Sequence, residues 1–152
     1  MNITVTDFVI ISTDYKAVFE YIANLENDKF WRNEINSTKM TSRPKLNALA
    51  IESSYLSKRV PNHILQLVCT DFQENSRIIY QTVPESAFYL KSIREVEAIS
   101  STQTKVTYTI AFDKSVVKYG LGFSLPTFLV KFVAKSDMVK YLRQLKKNIE
   151  AK

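Results

Sequence analysis

The sequence predicts an α+β fold: a curved antiparallel sheet of about seven strands, two short N-terminal helices and one long C-terminal helix. Three observations carry that expectation. A β-branched opening runs into a short helical pattern. Residues 33–113 are rich in Thr, Ser, Tyr, Val and Ile, with polar turn clusters recurring roughly every ten residues. After Asp113 the apolar spacing changes from that of a strand to that of a helix.

The elements follow in order. Thr4 to Ser12 is β-branched and apolar and reads as the first strand. Ser12-Thr13-Asp14 offers N-cap oxygens, and Val18, Phe19, Tyr21, Ile22 and Leu25 recur at helical spacing, which predicts a short helix over 15–24. Leu25 to Trp31 reads as a second short turn of helix. Turn signals at Arg43-Pro44, Pro61-Asn62, Glu74-Asn75-Ser76, Pro84-Glu85-Ser86 and Ser100-Ser101-Thr102 divide the middle of the chain into antiparallel strands. The clearest runs from Lys105 to Asp113, where Val106, Tyr108, Ile110 and Phe112 alternate with polar or small residues. Leu125, Phe128, Leu129, Phe132, Val139, Leu142 and Ile149 form the expected apolar stripe of a helix from Leu125 to Glu150, with Pro126 in its first turn.

Composition excludes several chemistries. The 152 residues suit one domain, 1–152, which buries roughly two thirds of its unfolded surface. One Cys permits no internal disulfide, and one His with one Cys cannot furnish a His/Cys zinc site. Two glycines, Gly120 and Gly122, are too few for a glycine-rich phosphate loop. No metal and no cofactor are expected. The first residues lack a basic segment and a long apolar run, and nothing approaches the ~18 apolar residues of a span, so a cytoplasmic protein is expected.

Charge is uneven. Residues 1–112 hold 12 basic and 12 acidic side chains, whereas residues 113–152 hold nine basic and three acidic, so the whole +6 lies in the last forty residues. Such a helix either presents a solvated face with cations near its C-terminus or touches an anionic membrane peripherally. No interleaving of aromatic and basic residues points to nucleic acid, and none is expected as a partner.

Few residues suggest catalysis. His63 and Cys69 fall six apart on one strand, ~20 Å at 3.3 Å per residue, too far for a nucleophile and its base. Asp71 and Asp113 read as surface residues near turns. Glu95 and Glu97 share a wet strand face with Tyr89, Lys91 and Ile93, which leaves Phe88, Leu90, Ser92, Arg94 and Val96 on the other. Arg94 and Ser92 are then either polar groups inside, with Arg94 needing an internal carboxylate or an acidic ligand group, or rim residues with the guanidinium in water. A lone helix 10–12 Å wide cannot cover a sheet ~30 Å wide, so curling the sheet leaves an apolar hollow unless side chains fill it. Trp31, Phe72, Tyr80, Phe88, Tyr108 and Phe112, with Phe128 and Phe132 from the helix, either line that hollow or pack it. Val117 to Pro126 holds both glycines and reads as a gate, a membrane contact or an irregular approach to the helix.

The chain resembles the SRPBCC superfamily of START domains, polyketide cyclases and birch-pollen-allergen-like proteins. The resemblance lies in Ile11-x-x-Asp14-x-x-x-Val18-Phe19-x-x-Ile22-x-Asn24 followed by Trp31, and in Leu142-x-x-Leu145-Lys146-x-x-Ile149-Glu150. It implies a helix-grip fold with a deep apolar cavity between sheet and C-terminal helix. One departure is that Lys45 to Ala50 lacks the Gly many members carry before the third strand. The expected function is binding or carriage of a small hydrophobic molecule (a lipid, isoprenoid quinone or polyketide-like compound), without catalytic residues. Its rivals are a metal-free cyclase or dehydratase, favoured if His63 and Arg94 share one inner surface, and an interaction module using the basic helix.

Overall fold

Alternating burial along the long strands and a helical period at each end give the architecture seen in the computed structural model, which describes residues 1–152. The elements are β1 (Asn2–Ile11), α1 (Tyr15–Ala23), a 3-10 turn (Leu25–Phe30), β2 (Ile35–Met40), β3 (Leu49–Ser54), β4 (His63–Gln73), β5 (Arg77–Thr82), β6 (Leu90–Ser100), β7 (Gln103–Asp113), α2 (Ser115–Leu121) and α3 (Thr127–Glu150). The seven strands form one curled antiparallel sheet in the order β1-β7-β6-β5-β4-β3-β2. Strands β2 to β7 are a meander, and β1 closes onto β7, from Asn2 opposite Asp113 to Ile11 opposite Thr104. The fold is α+β, as expected. Bulges in β2, β4 and β6 interrupt the ladders and help the sheet to curl.

Asp14 caps α1, its carboxylate accepting from the Lys16 and Ala17 amides at 3.1 Å each. Asn24 ends α1 and starts the 3-10 turn, its side-chain oxygen accepting from the Glu26 amide. The C-terminal carbonyls of α1, which have no partner inside the helix, meet side chains from the sheet. Arg94 donates to the Ile22 carbonyl at 2.8 Å and Tyr80 to the Ala23 carbonyl at 2.7 Å. The helix is thereby anchored across the concave face of β5 and β6.

Where the expected glycine is missing, Asn47 takes a left-handed conformation, φ 69°. Asn tolerates this region better than most residues. Its amide donates to the Cys69 carbonyl at 2.9 Å, which fixes the β2–β3 connection against β4.

Two expectations about the C-terminal half need correction. The inward stripe of α3 is Val130, Ala134, Met138, Tyr141, Leu145 and Ile149, with Leu142 beside it. Phe128, Phe132 and Val139, assigned to that stripe from the sequence, are exposed by 75%, 70% and 37%. Between Leu125 and Val133 apolar residues occupy nearly every side of the helix, so spacing admits two stripes. The one that packs inward continues into Met138, Tyr141 and Leu145. Pro126 precedes α3 as its N-cap residue instead of sitting in the first turn. The segment before it holds a two-turn helix, α2, ended by Gly122 at φ 86°.

Candidate functional site

The interior is organised by a buried ionic pillar. Asp28, from the 3-10 turn, receives Arg94 on both oxygens, at 2.8 Å from Nη1 to Oδ1 and 2.6 Å from Nη2 to Oδ2. It also receives Arg32 at 2.9 Å. Arg32 extends the network to Glu34 at 2.9 Å and to Glu52 at 3.4 Å. Arg94 also donates from Nη1 to the Ile22 carbonyl and from Nε to the Ser92 hydroxyl. Its guanidinium carbon lies 5.2 Å from the Trp31 ring centre and 5.5 Å from that of Tyr108. Asp28, Arg32, Glu52 and Arg94 are all buried, so each charge is supported only by its partners.

Beside the pillar lies a cavity of about 300 Å³, at the small end of the ligand-pocket range. Seventeen of its 24 lining residues are hydrophobic. Alternate residues of β7, Tyr108, Ile110 and Phe112, form one wall, spanning ~13 Å at 3.3 Å per residue. β3 and β4 contribute Glu52, Ser54, His63 and Leu65, and α3 contributes Val130, Ala134, Asp137, Met138 and Tyr141. α2 closes one end with Val116, Val117, Gly120 and Leu121. It is tied down by the Ser57 hydroxyl, which donates to the Gly120 carbonyl at 2.6 Å. Gly120 sits so close to Leu56 that an added Cβ would lie 3.2 Å from the Leu56 Cβ.

The two ends differ. Arg32, Glu34, Glu52, Asp137, Tyr108 and Tyr141 make the end nearer the pillar polar. Burial pushes the Glu52 carboxyl up, with Asp28 and Glu34 adding to the effect and Arg32 opposing it. The Asp137 carboxyl also lies high, through burial and then Glu34. Burial raises the Tyr108 phenol, against Arg32 and Arg94, and raises the Tyr141 phenol as well. The Tyr108 hydroxyl and Arg32 Nε are buried without a hydrogen-bond partner. At the α2 end the His63 ring sits 5.8 Å from Phe88 and 5.7 Å from Tyr119. Its Nε2 is also unpartnered, and burial lowers its pKa.

Of the ten candidate residues, Phe88, Tyr108 and Phe112 line the cavity. The other seven lie elsewhere. Trp31 packs edge-on against Tyr108 from outside the lining, and Phe72 packs against Phe19. Tyr80 holds α1, while Ser92 and Arg94 belong to the pillar. Arg94 thus faces inward with an internal carboxylate, and the rim alternative falls. Phe128 and Phe132 are on the outer face of α3. His63 reaches the cavity and Arg94 does not, so the two do not share its surface. Cys69 is buried, its thiol donating to the Asp71 carbonyl at 3.3 Å, and burial raises its pKa. Asp71 pairs with Arg77 at 2.7 Å and Asp113 accepts from the Ser115 amide, both in local turn roles.

The polar end was missed from the sequence. On β3 the apolar residues Leu49 and Ile51 face out, while Ala50, Glu52 and Ser54 face in. The strand's phase is inverted relative to hydrophobicity. Ile64 on β4 is likewise exposed while its neighbour His63 is buried. That two adjacent strands present Glu and His inward shows only once the register of β3 and β4 is known.

No group of three or more His, Cys, Asp or Glu is arranged to hold a metal ion. No helix is long and apolar enough to cross a membrane.

Architecture places the chain among helix-grip proteins, a curled antiparallel sheet gripping one long helix. Among solved structures it is similar to a START superfamily protein from Mycobacterium smegmatis, with TM-score 0.76, 12% identity and 97% of each chain covered. It is similar to the Zhui aromatase/cyclase of a Streptomyces species, with TM-score 0.75, 12% identity, and 99% of this chain and 94% of that one covered. One half of the di-domain aromatase/cyclase BexL also matches, at TM-score 0.65 and 16% identity, covering 99% of this chain and 51% of that one. No protein-family model and no curated protein matches the sequence. At such identities the likeness establishes the fold.

Proposed function

We propose that this protein binds a small, mostly apolar molecule in the cavity between its sheet and α3. The observation that carries this reading is an apolar hollow of about 300 Å³ with unpartnered polar atoms at both ends, Tyr108 Oη and His63 Nε2. Apolar walls supply affinity and a few fixed polar groups supply orientation. A volume equal to roughly ten waters suits a ligand of one or two rings or a short chain more than a full phospholipid. The START and aromatase/cyclase neighbours, by their fold, agree with that reading. Native mass spectrometry of the protein purified from its natural source, followed by extraction and identification of any bound compound, tests it. A one-to-one apolar adduct, absent from an Ile110→Trp variant that fills the hollow, is the expected result. An adduct unaffected by that substitution places the ligand elsewhere.

A catalytic reading rests on Glu52, a buried carboxyl whose raised pKa suits a proton donor or acceptor inside an apolar site. It requires turnover that Glu52→Gln abolishes while ligand binding persists. Membrane contact rests on the outer face of α3, where exposed Phe128 and Phe132 flank Lys131. Sedimentation with vesicles containing phosphatidylglycerol, but not with phosphatidylcholine alone, is the expected behaviour. Equal partitioning to both removes the electrostatic part.

A further inference from the structure

We infer that the pillar end of the cavity selects a ligand end group that donates hydrogen bonds and carries no negative charge, such as a hydroxyl or carboxamide, and rejects carboxylates and phosphates. This rests on the cavity being the binding site. Four carboxyl groups, Asp28, Glu34, Glu52 and Asp137, meet only two guanidinium groups there, Arg32 and Arg94. With all ionised, these six groups sum to two negative charges, which exposed Lys140, acting on Asp137, offsets in part.

The cations are also already engaged. Both Arg94 Nη atoms are bonded to Asp28, and its Nε to Ser92. Arg32 gives Nη1 to Asp28 and Glu52 and one Nη2 N–H to Glu34, while its Nε is buried without a partner. A further anion entering this end meets Glu52 and Asp137 with both guanidinium groups already shared among carboxylates, inside a poorly hydrated site where an unpaired charge is costly.

An uncharged donor meets the opposite situation. Glu52 uses one carboxylate oxygen on Arg32, so the other is able to accept from an O–H or N–H. Tyr108, 2% exposed, brings a hydroxyl with no partner, able to donate to the ligand's oxygen or accept from its donor. A hydroxyl or carboxamide both donates and accepts, so it suits the Glu52 oxygen and, where the Tyr108 hydroxyl turns toward the cavity, that group as well. Burial is the main cause of the raised Glu52 and Asp137 carboxyls, and Glu34 adds to both.

The test uses three probes on one scaffold: naphthalene, 2-naphthamide and 2-naphthoate, the last two nearly isosteric. Affinities are measured by fluorescence titration at pH 8 on wild type and on Asp137→Asn, a half-buried position where loss of one charge leaves the pillar intact. The expected result is amide binding at least about tenfold tighter than carboxylate, with a smaller ratio in Asp137→Asn. Naphthalene binding with carboxylate equal to or tighter than amide overturns this inference and leaves the cavity reading standing. A ratio unchanged in Asp137→Asn also overturns it, since charge would not be the discriminator. Failure of all three probes to bind overturns both.

Discussion

Asp28 and Arg94 face each other through two parallel hydrogen bonds of 2.8 and 2.6 Å, with side-chain exposures of 0% and 1%. The pair joins the 3-10 turn to the middle of β6, so the N-terminal helical layer and the sheet share one ionic joint. Removing one partner of a buried pair leaves the other charge uncompensated and costs about 3–5 kcal/mol. Asp28→Asn is expected to lower stability by that order in urea unfolding, because Arg32 loses a partner with Arg94. A change within about 0.5 kcal/mol, the size of an ordinary surface substitution, contradicts a structural role for the joint.

Tyr80 tests the same anchorage without charge. Its hydroxyl donates to the free Ala23 carbonyl at 2.7 Å in a fully buried setting. Tyr80→Phe keeps the ring and strands the carbonyl, for an expected loss of about 1–3 kcal/mol. Amide exchange in the last turn of α1 is expected to quicken more than exchange in β7. Uniform quickening across the chain contradicts a local anchoring role.

The fold was legible because its strongest signals are periodic. β7 alternates from Val106 to Phe112, α1 carries its own Asp14 cap, and each turn cluster separates two strands that pair. The site was not legible for the opposite reason. Glu52 and His63 occupy inward positions that hydrophobicity assigns to their neighbours Ile51 and Ile64, and only sheet register reveals the inversion. Arg94 was placed on the right face, but its carboxylate lies 66 residues away, a pairing no local spacing encodes. On α3 an excess of apolar residues erased the distinction between inner and outer faces, which put Phe128 and Phe132 on the wrong side.

Asn47 stands at φ 69° in the loop where related folds were expected to carry glycine. Asn47→Gly is expected to hold or slightly raise stability. Asn47→Ala places a Cβ in a left-handed conformation and is expected to cost about 1–2 kcal/mol. Thermal unfolding of the two variants checks this, and equal midpoints would show that the loop relaxes out of the left-handed region.

The exposed aromatics of α3 make a contrast with these buried positions. Phe132 is 70% exposed, so Phe132→Ser is expected to change stability by no more than about 0.5 kcal/mol, whereas Leu145→Ala, at 0% exposure on the same helix, is expected to lose about 2–5 kcal/mol. Chemical denaturation of the two proteins measures the difference. A large loss at Phe132 would mean that this face is covered in solution.

His63 gives the fold a pH dependence whose sign follows from its surroundings. Its ring packs against both Phe88 and Tyr119, and burial lowers its pKa from the ordinary 6.5. Between the folded and unfolded pKa values the unfolded chain binds more protons, so stability rises with pH there. The contribution is complete above about 6.5 and lost as pH falls through the lower, folded value. Glu52 and Asp137, whose carboxyls are raised, act with the opposite sign, stabilising the fold as they protonate. Comparison with His63→Phe cancels them, because both proteins carry those carboxyls and Phe fits the same aromatic setting. The stability difference, wild type minus His63→Phe, is expected to fall on acidification from pH 7 to pH 5. A bound apolar ligand removes water from around the ring and disfavours its protonation further, so ligand affinity is expected to weaken over the same interval in wild type but not in His63→Phe. Parallel stability curves for the two proteins would show that the imidazole titrates as freely in the fold as in the open chain.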